Sequence, residues 1–270
     1  MKLGISSYTY TWGVGVQGHY PQKRLSVMDL IDKAIESDIH VVQIADNLPL
    51  HNLSNIEIES LAKFSSGLNI TIEVGTRGIL NNNLLTYLSI AKKLNSSIVR
   101  VVIDGIDHYP NEDEIIDIIK PQMIEFEKAK ISLAIENHDR FTTKSLKRII
   151  QRIDSEYAGI CLDCANSFGA MEGPDIVFDE LGPFAVNIHI KGFKIYRAYQ
   201  NMGFIIEGVP IDKSMLDISW ILNKVKQFKK DTNIILEQWT PFGDNIEETI
   251  EKEENWVKTS IEYMRKFVKE

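Results

Sequence analysis

The sequence predicts a single-domain (β/α)₈ TIM barrel of the α/β class, spanning residues 1–270, and three observations carry that prediction. The chain has 270 residues, close to the ~250 typical of a one-domain barrel of this kind. A short apolar run followed by an amphipathic segment recurs along its whole length. Four of the later runs end in a carboxylate or an imidazole, where barrel enzymes keep their chemistry.

The apolar runs are Lys2–Ser7, His40–Ala45, Asn69–Val74, Ser97–Ile103, Ile131–Glu136, Ala158–Asp163, Ala185–Ile190 and Asn233–Glu237. They are rich in Ile and Val and read as strands buried on both faces. Segments with helical spacing lie between them. Ser26–Asp38 opens with Ser26-x-x-Asp29, a capping box. Leu53-Ser54-Asn55-Ile56-Glu57 opens another segment with the same chemistry. Leu84–Asn95, Glu112–Lys130, Thr143–Asp154, Ser214–Lys230 and Asn245–Lys269 follow. Strands alternating with helices imply parallel strands and right-handed crossovers. Gly13 and Gly15 give only a fragment of the dinucleotide-binding glycine pattern, so a closed barrel is the better reading. Gly192 to Pro210 reads as one long irregular connection, the kind that often forms a functional lid.

Composition narrows the function classes. The formal net charge is −8, and a nucleic-acid binder needs a basic stripe to displace phosphate counterions. The same charge disfavours an anionic membrane surface. No apolar stretch approaches the ~20 residues of a spanning helix, and MKLGISSYTYTW lacks the apolar run of a signal peptide. Cys161 and Cys164 are the two cysteines, too few for a disulfide framework, so a cytoplasmic, reducing location is expected. Their C-x-x-C spacing falls on a strand and reads as core thiols.

The four strand ends are Glu136, Asp163, His189 and Glu237. Alternation along each strand turns the preceding apolar residue outward and the polar one inward. Three inward carboxylates would repel one another and would be costly if unpaired. A divalent cation relieves both costs. One imidazole among three carboxylates suits Mn, Mg or Co, and also Zn, and the lack of thiolates marks an open, catalytic site.

Around these positions the chain resembles the sugar phosphate isomerase/epimerase family, the xylose-isomerase-like TIM barrels. The resemblance rests on Ile135-Glu136-Asn137-His138, Leu162-Asp163-Cys164-Ala165-Asn166, His189-Ile190-Lys191 and Leu236-Glu237-Gln238-Trp239. It implies one divalent metal held by Glu136, Asp163, His189 and Glu237. It also implies Glu136 and Glu237 as the acid/base pair of an isomerase or epimerase working through an enediolate. Val42–Leu50, Met202-Gly203-Phe204 and Glu207-Gly208 further resemble a subgroup containing 3-oxo-isoapionate decarboxylases. That subgroup implies a metal-dependent lyase acting on a sugar-derived 3-oxo acid. Two departures bear on the choice. Gly192 stands where many relatives carry Asp, and Asn166 stands where epimerases of free ketoses carry a substrate-holding His.

A small carbohydrate or sugar acid is therefore the expected partner, and the resemblance leaves room for a homo-oligomer. An abasic-site endonuclease shares the barrel but needs a three-metal cluster with more histidines, and the charge opposes DNA. Further substrate contacts are expected from His138, Asn166, Lys191, Arg197, Glu73 and Trp239. Lys191 and Arg197, or Arg77 and Arg100, could hold a carboxylate. His138 reads either as a substrate contact or as a surface histidine, and Glu73 either as a substrate contact or as an ion-pair partner of Arg77. Tyr8, Tyr10, Trp12 and Trp239 read as an apolar wall or as local packing.

Overall fold

A computed structural model describes residues 1–228 and 232–268. The strands are β1 (Leu3–Ser6), β2 (Val41–Ile44), β3 (Thr71–Arg77), β4 (Ile98–Val102), β5 (Ser132–Glu136), β6 (Ala158–Asp163), β7 (Ala185–Lys191), β8 (Phe193–Arg197), β9 (Phe204–Gly208) and β10 (Ile234–Glu237). Seven of them, β1 to β7, and β10 pair in parallel and close a barrel, with β10 between β7 and β1. The predicted fold is the observed one.

Helices wrap the barrel: α1 (Thr11–Val14), α2 (Val27–Glu36), α3 (Asn55–Gly67), α4 (Asn81–Leu94), α5 (Glu112–Ile119), α6 (Met123–Ala129), α7 (Thr143–Ile153), α8 (Pro174–Leu181), α9 (Ile218–Gln227) and α10 (Ile246–Met264). Both expected capping boxes form. Ser26 caps α2 and pairs with Asp29, and Ser54 caps α3 and pairs with Glu57. The ends expected at Lys230 and Lys269 lie outside the described residues.

Three expectations need correction. The single segment 112–130 is two helices, because Pro121 offers no amide proton and restricts Lys120, so a 3₁₀ turn over Lys120–Gln122 separates them. A helix at Pro174–Leu181 had not been anticipated. Its proline occupies the first turn, where no amide donor is needed, and it buries a short stripe of Val177, Phe178 and Leu181. The 192–210 stretch is an antiparallel hairpin, β8 paired with β9 from Phe193↔Gly208 to Arg197↔Phe204. Its Phe204, Ile205 and Ile206 are all exposed, so no burial alternation marked it as a strand.

The helix-facing layer is apolar, with Leu30, Ile44, Leu84, Phe126, Phe178 and Ile261 among its members. The barrel interior is different. Gln43, Glu73, Arg100, Glu136, Cys161, Asp163, Asn187, His189 and Glu237 are all buried and come from seven strands. Apolar layers fill most such barrels. Here polar groups occupy the axis well below the mouth, and each must find a partner there.

Candidate metal centre and active site

His189 sits at the centre of the predicted set. Its Nδ1 lies 3.4 Å from Glu237 Oε1, 3.7 Å from Asp163 Oδ2 and 3.7 Å from Glu136 Oε2. All four residues are buried, and strand ends of β5, β6, β7 and β10 bring them together. His189 Nδ1 has no hydrogen-bond partner, and Asp163 Oδ2 beside it is held by the Lys191 ammonium at 2.8 Å. A buried polar atom without a partner, facing three carboxylates, calls for an explanation. Metal–ligand bonds of ~2.0–2.2 Å at the tetrahedral angle put neighbouring ligand atoms roughly 3.3–3.6 Å apart. The observed spacings fit a shared divalent ion better than direct hydrogen bonds.

Asp163, His189 and Glu237 offer ligand atoms all within 4.8 Å of one another, and a second such group joins Glu136 and His189 to Cys161. Glu136 is drawn sideways by two neighbours. Its Oε2 accepts from Arg100 Nε, and its Oε1 accepts from Asn166 Nδ2 at 2.8 Å. Lys191 Nζ lies 2.8 Å from Asp163 Oδ2 and 3.1 Å from Glu237 Oε2. Burial would raise the Glu237 carboxyl, but His189, Lys191 and Arg100 hold it well below the usual carboxylate range.

Above this cluster opens a cavity of about 650 Å³, lined by Tyr8, Trp12, Arg77, Arg100, Glu136, His138, Asn166, Lys191, Glu237 and Trp239 among others. That volume suits a small organic ligand. His138, Asn166, Lys191 and Trp239 thus stand where substrate contacts were expected. His138 pairs with neighbouring Asp139, and Lys191 Nζ lies 5.4 Å from the Trp239 ring centre. Two aromatic residues, Tyr8 and Trp12, form part of the wall. Tyr10 is fully buried outside it.

Two expected contacts are not at the mouth. Glu73 falls in the middle of β3, because that strand continues to Arg77, three residues beyond the predicted end. It neither lines the cavity nor pairs with Arg77. It accepts instead from the amides of Gln43, Asn187 and Asn233, at 3.1, 2.8 and 2.8 Å. Arg197 lies exposed on the β8–β9 hairpin over the Phe204 ring, outside the cavity lining. Its strand carries it outward.

Close backbone packing joins that hairpin to the cavity wall. A side-chain carbon at Gly208 would stand 1.9 Å from the Trp239 carbonyl oxygen, and one at Gly192 would stand 2.1 Å from the Val209 oxygen. Glycine at 192 therefore permits the close approach of the Val209–Pro210 backbone, which an Asp side chain would block.

Other residues make contacts that sequence spacing does not announce. Asp46 joins Arg77 through Oδ2 at 2.9 Å and Arg100 through Oδ1 at 2.6 Å. Ser6 Oγ donates to Glu237 Oε1 at 2.8 Å. Asn137 accepts from the Asp163 amide at 2.7 Å and donates to the Asp163 carbonyl at 2.9 Å, which fixes the end of β6.

Glu253 on α10 accepts the backbone amides of Trp12 and Gly13, each at 3.0 Å, and so anchors the Trp12 wall. It was visible in principle, as an acid on the buried Thr249–Glu253–Val257 stripe of α10. Burial pushes its carboxyl up to about 8, against the pull of the two amides. The unfolded value is ~4.3, so between ~4.5 and ~8 the native state holds a proton that the unfolded state has lost. That contribution to stability is complete at the acid end and disappears as pH rises through the window. Urea unfolding of Glu253→Gln at a series of pH values is expected to give a flatter stability profile than wild type from pH ~5 to ~8. Parallel profiles would contradict the assignment.

Comparison with known proteins agrees with this fold. The family model for the xylose isomerase-like TIM barrel matches residues 81–267. A 3-oxo-isoapionate decarboxylase of Pectobacterium atrosepticum is 30% identical over 264 residues, covering 98% of this chain and 95% of the relative. Among solved structures, D-psicose 3-epimerase with D-tagatose from Clostridium cellulolyticum H10 superposes with a TM-score of 0.73 at 14% identity, covering 98% of this chain and 99% of that one. The IOLI protein with a bound zinc atom superposes with a TM-score of 0.70 at 15% identity over the full length of both chains. Family model, full-length relative and barrel geometry agree that this chain belongs to the xylose isomerase-like TIM barrel family.

Proposed function

We propose that this protein is a divalent-metal-dependent decarboxylase of a sugar-derived 3-oxo acid. The relative that is 30% identical along nearly the whole chain is a 3-oxo-isoapionate decarboxylase, and the charge of the site supports the same substrate class. Arg77, Arg100 and Lys191 supply three positive charges at the cavity. Asp46, Glu136, Asp163 and Glu237 supply four negative ones beside them, and Asp139 on the lining supplies a fifth next to His138. Arg77 and Lys191 line the open part of the cavity, where an anionic substrate could pair with them.

Glu136, Asp163, His189 and Glu237 would hold the ion. When bound it supplies a Lewis acid for the oxygen that gains charge as the reaction proceeds. Lys191 and Arg77 would hold the substrate carboxylate until the carbon–carbon bond breaks. CO₂ then leaves, and the electron pair passes to the ketone oxygen as an enolate. A proton drawn from solvent then passes to the adjacent carbon by way of Glu136 or Glu237. Trp239 and Tyr8 would cover the C–H face and limit water.

A second reading, epimerisation, is favoured by one observation: Glu136 and Glu237 reach His189 from separate strands, as a two-base exchange requires. One assay separates the two. The protein loaded with Mn²⁺ or Mg²⁺ is incubated in D₂O with 3-oxo sugar acids and with free ketoses. The proposal expects CO₂ release from the acid and one solvent deuteron in its product. Deuterated, epimerised ketose without CO₂ would establish the second reading instead.

A further inference from the structure

We propose that Cys161, Asn187 and Glu73 form a one-directional hydrogen-bond relay beneath His189, which holds the imidazole with its Nδ1 lone pair turned toward Glu136, Asp163 and Glu237. Cys161 is then a positioning residue for metal binding, and Glu73 is the anchor of the relay. The inference rests on the metal site proposed above.

The relay is continuous. His189 Nε2 lies 3.2 Å from Cys161 Sγ, Cys161 Sγ lies 3.4 Å from Asn187 Oδ1, and Asn187 Nδ2 lies 2.8 Å from Glu73 Oε2. All four side chains are buried, so water cannot satisfy them from bulk. Barrel alternation explains the stacking. Cys161 and Asp163 are two apart on β6, and Asn187 and His189 are two apart on β7, so both pairs face inward in successive layers.

Donor and acceptor inventories fix the direction. A carboxylate only accepts, so Glu73 requires the Asn187 NH₂ to face it. The Asn187 Oδ1 then faces Cys161, and it also accepts from Gln43 Nε2 at 3.0 Å. An oxygen acceptor there claims the single thiol proton. With its proton used, the sulfur can only accept from His189 Nε2–H. The nitrogen left as a lone pair is Nδ1, which has no hydrogen-bond partner and faces the three carboxylates. A metal-ligating histidine needs this tautomer, and its other nitrogen commonly donates to a fixed group. Cys161 is not itself placed as a ligand on the same ion. It meets His189 at Nε2, while the carboxylates meet it at Nδ1.

Cobalt(II) titration of the full chain, followed by visible absorption and equilibrium dialysis, tests the relay. Removal of such a supporting partner typically weakens metal binding ~10–100-fold, and that loss is expected for Cys161→Ala. Cys161→Ser should bind close to wild type, because a hydroxyl can both accept and donate. Glu73→Gln should fall between them, since an amide can anchor Asn187 in either orientation. In the zinc-loaded protein, nitrogen-15 NMR should show Nδ1 of His189 ligated and Nε2 carrying a slowly exchanging proton. Purely structural damage would be shared by the serine variant and would not alter which nitrogen is ligated. An alanine variant that binds cobalt like wild type, ligation through Nε2, or a sulfur-to-cobalt charge-transfer band that the serine variant lacks would each overturn the relay while leaving the metal site standing. If His189→Ala binds cobalt as tightly as wild type, the metal site and the relay both fall.

Discussion

Asp163→Asn is expected to cost the protein its divalent ion and at least ~10³-fold in turnover, with little change in fold. The substitution is selective because the two carboxylate oxygens do different things. Oδ1 accepts the backbone amides of Ala165 and Asn166, both at 2.8 Å, and so shapes the turn after β6. An asparagine oxygen can keep those bonds. Oδ2 faces His189 Nδ1 and meets the Lys191 ammonium at 2.8 Å, and an amide nitrogen there offers protons where a cation needs a lone pair. Loss of a direct ligand should exceed the ~10–100-fold affinity loss typical of a supporting partner. The Lewis-acid contribution is worth several kcal/mol, and each ~1.4 kcal/mol is tenfold in rate. Metal analysis after dialysis, thermal unfolding and turnover at saturating Mn²⁺ together check the prediction. An asparagine variant that keeps a full equivalent of metal and wild-type turnover would remove Asp163 from the site.

The four candidate ligands were legible because each ends an apolar run. A charged side chain after two or three buried ones can only point along or into the barrel mouth. Glu73 resembles them in the sequence but is not equivalent: the apolar pattern stops at Val74, while the strand runs on through Gly75 and Thr76 to Arg77. Three more residues place Glu73 a layer too deep for substrate. Sequence spacing gives the face of a strand but not the height along the barrel axis, which depends on register with neighbours, such as Gln43↔Glu73. Cys161 was undervalued for the same reason. As a strand residue it read as packing, and only the cross-strand placement of Asn187 and His189 gives its sulfur polar partners. The hairpin is hard to read in the sequence because Phe204, Ile205 and Ile206 of β9 are consecutive apolar residues that all face solvent, which erases the two-residue rhythm by which strands are recognised.

Arg100 shows what a closer reading of the sequence offered. It interrupts Ile98-Val99-Arg100-Val101-Val102, a strand buried throughout, and a guanidinium cannot shed its charge to suit such a site. Carboxylate partners were therefore obligatory, and Asp46 and Glu136 are those partners. Arg100→Met fills similar space but leaves both acids buried without their shared cation. Breaking a buried pair from one side typically costs ~3–5 kcal/mol, so the metal-free variant should melt on the order of 10 °C below wild type. Burial alone would raise the Asp46 carboxyl, but Arg100 and Arg77 hold it below the usual range. The stabilisation this pairing gives is present above the unfolded value of ~3.9 and is lost as pH falls through the lower folded value. The gap between wild type and variant should accordingly be widest near neutrality and narrow in acid. A divalent ion should also narrow it. An ion bound at His189 takes up the charge of Glu136, which Arg100 otherwise neutralises, so the variant should gain more from Mn²⁺ than wild type does. Thermal unfolding of both proteins with and without Mn²⁺, at several pH values, measures all three effects. Equal melting temperatures without metal would show that Arg100 neither holds these carboxylates nor competes with an ion for Glu136.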